Sequence, residues 1–262
     1  MVNRQWSIGN GQFMRYTTPL RIRSAYEAGP DGGLHHGTIV RFALQVGYLI
    51  AGAMGMDDAW MAAQGTTFVV RGLKLDYAAL SLENEDLNLT TWLTQVRRFR
   101  GSREVVLSAV ADGRVIANLS LDWVYVRRDT LTPTRFPADM MTQLGEETAH
   151  ARDWSAWQKP VEPADVVSPA HAVERVVQYH ELDINRHVNT GVYVEWLEQA
   201  WFEATGQVPS ALAGHTLEFL KPAVLGEAVR VTTQKVYPNA WAQTIELAET
   251  HETLVTNICF TN

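Results

Sequence analysis

From Thr38 to Met54 apolar residues recur at helical spacing, with Ile39, Phe42, Val46, Leu49, Ile50 and Ala53 on one stripe. The period then changes. Strand-like runs follow in TTFVVRGLKLDYA, DLNLTTWLTQVRRF, REVVLSAVA and RVIANLSLDWVYV. The last alternates, placing Val115, Ala117, Leu119, Leu121, Trp123 and Tyr125 on one face. ADGR at 111–114 supplies an Asp-Gly hairpin turn. The second half repeats the order. HAVERVVQYHEL reads as a short strand, and a helix follows with Tyr193, Leu197, Ala200, Trp201 and Ala204 on one stripe, stopped by Gly206. Strand-like segments around HTLEFLKP, EAVRVTTQKVY, AWAQTIELAE and TLVTNICF complete the chain.

The correspondence reaches single residues. Shifted by 154, Gly37, Ile39, Val40, Phe42 and Gln45 fall on Gly191, Tyr193, Val194, Trp196 and Gln199. Shifted by 142, Leu75-Asp76-Tyr77 falls on Leu217-Glu218-Phe219, and Thr90-Thr91 falls on Thr232-Thr233. An internal repeat follows. A helix and then a run of long strands cannot build a doubly wound parallel sheet, which needs a helix between successive strands. The expected class is α+β: two tandem units, each a long helix wrapped by a curved antiparallel sheet, with the sheets joined edge to edge so that edges are protected. The expected boundaries are 1–139 for the first unit, a Pro-punctuated linker at 140–170, and 171–262 for the second.

Composition narrows what such a chain does. With 262 residues, 46% hydrophobic and 19% charged, it is neither disordered nor fibrous, and each half is long enough to bury a core. A net charge of -7 argues against nucleic-acid binding. The single Cys259 excludes an internal disulfide and a Cys-rich metal cage. The start, MVNRQWSIGNGQ, lacks the apolar core of a signal peptide, and a cytoplasmic location is the expectation. The most apolar run, 42–56, is shorter than the ~20 residues of a membrane span and reads as a buried helix.

The candidate chemistry lies in ELDINRHVNTGVYVEWLEQA, residues 181–200. Asp183, Asn185 and His187 alternate along what reads as an extended segment that places them on one side, just before a helix N-terminus. Unpaired N–H groups there stabilise negative charge, including a developing oxyanion. A carboxylate and an imidazole beside it can activate water. Each residue also has a plain reading: Asn189 as an N-cap, and Asp183 and Asn185 as turn residues.

The stretch closely resembles the signature of the acyl-acyl-carrier-protein thioesterases, in which a D-x-N-x-H-V-N segment precedes a helix. TTWLTQVRRF, REVVLSAVADGRVIANLSLDWVYV and RRDTLTPTRFP resemble that family's first-half strands and the segment leaving them, so the likeness covers nearly the whole chain. The resemblance implies a tandem pair of hotdog domains. It makes Asp183, Asn185 and His187 catalytic, and places the family's further acid, on the strand after the second helix, at Glu218. It implies hydrolysis of fatty acyl thioesters on the 4'-phosphopantetheine arm of acyl carrier protein, ending fatty-acid synthesis. An acyl-CoA thioesterase, a hydratase of the same fold and a non-catalytic acyl-binding protein are the alternatives.

A mechanism built on these residues directs the thioester carbonyl at the backbone N–H groups of Val188, Asn189 and Thr190. Asn185 orients it or the water. Glu218 or Asp183 serves as base, and His187 positions the water or protonates the leaving thiolate. Direct carboxylate attack through an anhydride is the other route. The first half lacks the set, because Gly29, Asp31 and Gly33 stand at the equivalent positions. One active site per chain is therefore expected, with the helix at 38–54 and Trp92 as acyl-pocket walls. Asp76, the Glu218 equivalent, reads as vestigial or structural. His35 and His36 carry no further ligand spacing, so no metal and no cofactor is assigned.

An anionic carrier needs a local basic surface on an acidic enzyme. Arg97, Arg98, Arg100 and Arg103 cluster at one hairpin, with Arg127 and Arg128 ending the adjoining strand; Arg97, Arg98, Arg127 and Arg128 are the expected docking residues. A solvated edge that resists aggregation is the other reading. The expected state is a monomer or a homodimer.

Overall fold

The computed structural model describes residues 5–9, 12–21, 27–30, 32–80, 85–138, 141, 144–155, 157 and 170–261. Among them, eleven strands form one antiparallel sheet: β1 (Gln5–Gly9), β2 (Gln12–Arg21), β3 (Thr66–Tyr77), β4 (Asp86–Arg97), β5 (Arg100–Ala109), β6 (Val115–Arg127), β7 (His171–Val176), β8 (Leu212–Phe219), β9 (Ala228–Tyr237), β10 (Ala240–Leu247) and β11 (Thr253–Thr261). Their order is β1-β2-β4-β5-β6-β3-β8-β11-β10-β9-β7. The long helices are α1 (His36–Ala53) and α3 (Thr190–Thr205), with a short α2 (Asp58–Gln64) between α1 and β3.

Period-2 alternation turns one row of each strand toward the helices. Leu73, Leu75, Val105, Leu107, Leu119 and Leu121 share one core with Leu217, Phe219, Val231, Ile245 and Val255, and with Ile39, Val40, Val194 and Leu197 of the helices. Both long helices therefore lie on the same face of the sheet. The 42–56 run is largely within α1, and no single helix among the described residues is long and apolar enough to cross a membrane.

The repeat is realised as a local two-fold at the β3–β8 seam. Gly72 pairs with Glu218, Leu73 with Leu217, Leu75 with His215 and Asp76 with Gly214, so each half presents its equivalent acid opposite a glycine of the other. The helix shift exceeds the strand shift by twelve residues, and the extra length in the first half is the connection that holds α2. Its Met56 and Met61 close a second hydrophobic cluster with Ala51, Leu93, Val96, Tyr125 and Phe136.

The structure adds and corrects several elements. β1 and β2 carry no clean alternation, and Pro19 interrupts the second of them; β2 is a strand through its pairing with β4, and β1 through its pairing with β2. HAVERVVQYHEL is strand only over His171–Val176, followed by a 3-10 turn at Tyr179–Glu181. The described part of the expected linker is packed, not loose. On the sheet face opposite the helices, fully buried Glu104 accepts hydrogen bonds from Trp154 Nε1 (2.9 Å) and Ala151 N (3.0 Å) and pairs with His150 Nδ1 at 3.0 Å. Residues 158–169 of that stretch lie outside the described residues.

Candidate active site

The segment holding Asp183, Asn185 and His187 is a tight turn, not the extended strand that its alternation predicts. Asp183 N donates to His187 O (2.8 Å) and Arg186 N to Asp183 O (3.0 Å), while Arg186 takes a positive φ of 63°. The Asp183 carboxylate builds the turn, because Oδ1 accepts from Asn185 N at 2.8 Å and, more weakly, from His187 N at 3.4 Å. Short polar side chains bonding their own backbone outcompete the strand ladder here. One oxygen is thereby committed to the scaffold.

Flanking pairs fix the turn against α3 and the exit of β8. Leu182 bridges Val188, and His187 bridges Val224. Asn189 caps α3, its Oδ1 accepting from Gly191 N at 2.9 Å. Two of the three expected oxyanion donors are consumed in this packing: Val188 N donates to Ala223 O (3.0 Å) and Asn189 N to Glu181 O (2.9 Å). Thr190 N–H, in the first turn of α3, makes no such bond among the described residues, and Thr190 lines the cavity described next. The Asn185 side-chain Oδ1 is buried without a hydrogen-bond partner among the described residues, so the amide has unused bonding capacity at the same place.

Asp183, Asn185, His187 and Glu218 open on one cavity of about 1420 Å³, which also touches Thr190, Tyr193 and Arg41. Glu218 enters from a different wall. Leu217 and Phe219 turn into the core, so the side chain between them leaves the opposite face of β8, in strand register with Gly72 and Thr256. The acids thus bracket the cavity and do not stack on one surface. The equivalent Asp76 is a structural acid: Asn118 Nδ2 donates to it at 3.0 Å and Arg152 forms an ion pair with it. Trp157 fills the space beside Gly214, where a Cβ would stand 2.5 Å from the indole. The degenerate position in the first half is plugged. Of the residues aligned there with Asp183, Asn185 and His187, Asp31 lies outside the described residues.

Tyr48 of α1 is a site residue that sequence reasoning missed. It lines the cavity, and burial, followed by the negative charge of Asp183 and Asp58, pushes its phenol up. Periodicity offered no signal, since Tyr48 lies off the apolar stripe of its helix. Tyr193 is likewise pushed up, by burial first, and its hydroxyl accepts from Ala223 N at 2.7 Å. A smaller cavity of about 120 Å³ adjoins the first, sharing Leu44, Tyr48, Phe68, Val69, Val70 and Trp123 with it. α1 is therefore a wall of both cavities. Trp92 is not: its indole donates to Ala149 O at 2.7 Å beneath Arg15, on the far face of the sheet.

The four expected docking residues are divided between two places. Arg97 pairs with Glu146, and Arg127 with Asp129. Arg98 sits at the β4–β5 tip with a φ of 42°. Of the four, only Arg128 reaches the large cavity, where Arg71, Lys74, Arg100 and Lys221 join it. Hairpin position in sequence does not tell which side of the sheet a cation takes.

Family models match both halves: the acyl-ACP thioesterase N-terminal domain over residues 14–144 and the C-terminal domain over 168–259. The chain belongs to the acyl-ACP thioesterase family. It is a thioester hydrolase, and family and fold together make it a fatty acyl thioesterase. Similar solved structures include the 12:0-ACP thioesterase from Umbellularia californica, with TM-score 0.81, 14% identity and coverage of 98% of this chain and 99% of the other. Another is an acyl-ACP thioesterase from Bacteroides thetaiotaomicron, with TM-score 0.76, 16% identity and coverage of 95% and 98%. An uncharacterised protein of Mycobacterium tuberculosis is 24% identical over 183 residues, 69% of each chain. At such identities the structural likeness establishes the tandem hotdog fold of this thioesterase.

Proposed function

We propose that the chain hydrolyses fatty acyl groups from the 4'-phosphopantetheine arm of acyl carrier protein, releasing free fatty acid and ending fatty-acid synthesis. One observation carries this reading: the turn bearing Asp183, Asn185 and His187 meets Glu218 across a cavity that continues into an apolar pocket of the other half. The thioester carbonyl oxygen takes Thr190 N–H and the positive end of α3, with the Asn185 amide beside it. Water attacks the carbonyl carbon and gives up its proton to His187 or a cavity carboxylate. The C–S bond breaks as the tetrahedral adduct collapses, and the thiolate takes a proton from the same side chain. Asp183 shapes the turn as well as charging it, while Glu218, on the opposite wall, orients water or arm.

Arg71, Lys74, Arg100 and Arg128 around the cavity supply the cationic surface that an overall acidic enzyme needs to receive a phosphorylated arm on an acidic carrier. The test is kcat/KM for one acyl group presented on carrier protein and on coenzyme A. The carrier protein form is expected to be preferred at least about tenfold. Equal use, or preference for coenzyme A, contradicts the carrier assignment.

A further inference from the structure

Arg103 breaks the pattern of the pocket that the proposed function assigns to the acyl chain. In β5 it pairs with Leu93 on one side and Leu121 on the other, which puts it on the face turned toward α1. It is thus an inward residue and not part of the basic hairpin surface that the sequence implies. The smaller cavity is lined by Arg103 with Leu44, Ile50, Met54, Leu121 and other apolar side chains; the phenol of Tyr48 and the indole N–H of Trp123, itself without a hydrogen-bond partner among the described residues, are the further polar groups of the described lining. The neighbouring acid cannot neutralise it, because Glu104 leaves the opposite face of the strand and is saturated by Trp154, Ala151 and His150.

Among the described residues Arg103 makes one side-chain hydrogen bond, a long 3.3 Å contact from Nη1 to Thr91 Oγ1, and no ion pair. A guanidinium has five N–H donors. Burial pushes it down to about 10, which leaves it charged at neutral pH. A half-buried cation with no acid beside it among the described residues is costly, and a hydrocarbon tail packed against it deepens that cost by displacing the remaining water. An acceptor oxygen on the tail relieves it, and a carboxylate does so in two-point geometry.

The position fits the end of a chain bound at the catalytic turn. Leu217, Leu73, Leu121 and Arg103 are successive register partners across β8, β3, β6 and β5. The first two line the large cavity and the last two the small one. Three strand spacings separate Leu217 from Arg103, about 14 Å along the sheet, the reach of a medium-length acyl chain. We infer that Arg103 is a specificity residue that selects medium-length acyl thioesters carrying an oxygen acceptor, best a carboxylate, at the distal end. This rests on the thioesterase reading above.

The experiment is a hydrolysis panel on the full chain, using acyl-carrier-protein thioesters of matched length with a methyl, an ω-hydroxyl or an ω-carboxylate terminus, for wild type, Arg103→Met and Arg103→Lys. Wild type is expected to favour the ω-carboxylate over the methyl terminus at least about tenfold in kcat/KM. Arg103→Met should reverse that order, with Arg103→Lys between. Wild type that prefers plain chains at every length overturns the specificity inference and leaves the thioesterase reading intact. Hydrolysis of none of the substrates overturns both. Should Arg103→Met not fold, the wild-type order alone decides, since its sign is set by the native guanidinium.

Discussion

Gly37 and Gly191, equivalent positions of the two halves, meet where α1 and α3 begin. A Cβ on Gly37 would stand 2.6 Å from the carbonyl oxygen of Gly191, and a Cβ on Gly191 would stand 2.7 Å from that of Gly37. One turn further on, the equivalents Arg41 and Glu195 form an ion pair across the same contact, one limb of it 2.8 Å long. Replacing either glycine by alanine forces backbone apart in a packed core, so each of Gly37→Ala and Gly191→Ala is expected to cost about 1–3 kcal/mol. Urea denaturation checks this; unchanged midpoints in both variants would show that the helices are not held at this distance.

The Asp183 carboxylate commits Oδ1 to the turn, and Asp183 also lines the cavity. Asp183→Asn keeps an acceptor for Asn185 N and His187 N but removes the charge, so it should retain the melting temperature while kcat falls by about a hundredfold or more. Asp183→Ala should lose both activity and about 1 kcal/mol of stability, from the unmade turn bonds. Full kcat in Asp183→Asn would confine Asp183 to a structural role.

Charge at the cavity distinguishes the two candidate docking surfaces. Lys74→Glu is expected to raise KM for the carrier-bound substrate several-fold and leave kcat near wild type, whereas Arg97→Glu, already paired with Glu146, should change neither. An effect of Arg97→Glu alone would restore the hairpin as the docking face.

His36 and His215 are buried against each other, with 3.0 Å between Nδ1 of the first and Nε2 of the second. Burial pushes both rings down, His215 to about 4. Both are neutral in the fold and take up protons more readily when it opens. Stability is therefore fully present above the ordinary histidine value near 6.5 and is lost as pH falls toward 4. His215 alone contributes on the order of 3 kcal/mol across that window. His215→Gln should flatten this acid limb between neutral pH and about pH 5, measured as urea midpoints; an unchanged slope would assign the acid sensitivity elsewhere.

The class of fold was readable because the core obeys simple periods: Ile39 and Val46 at helical spacing, Leu119 and Leu121 at strand spacing, each recurring in the other half. What escaped were features set by partners. Gln12–Arg21 is a strand through its pairing with β4, despite Pro19. Asp183 to His187 has the alternation of a strand, yet the Asp183 carboxylate bends it into a turn through Arg186, a residue that seldom takes positive φ. Arg103 shares a hairpin with Arg97 and Arg100 in sequence, but register with Leu121 turns it inward. Side-chain direction at a strand is decided by its neighbours, which a single sequence does not list.

The central claim is that the turn from Asp183 to His187 hydrolyses acyl thioesters. Its most direct test is thiol release from acyl carrier protein, compared for wild type and His187→Ala at matched melting temperature. Turnover by wild type with a loss of about 10²–10⁴-fold in His187→Ala is the expected result. Equal turnover by the two proteins, or none by wild type, would contradict it.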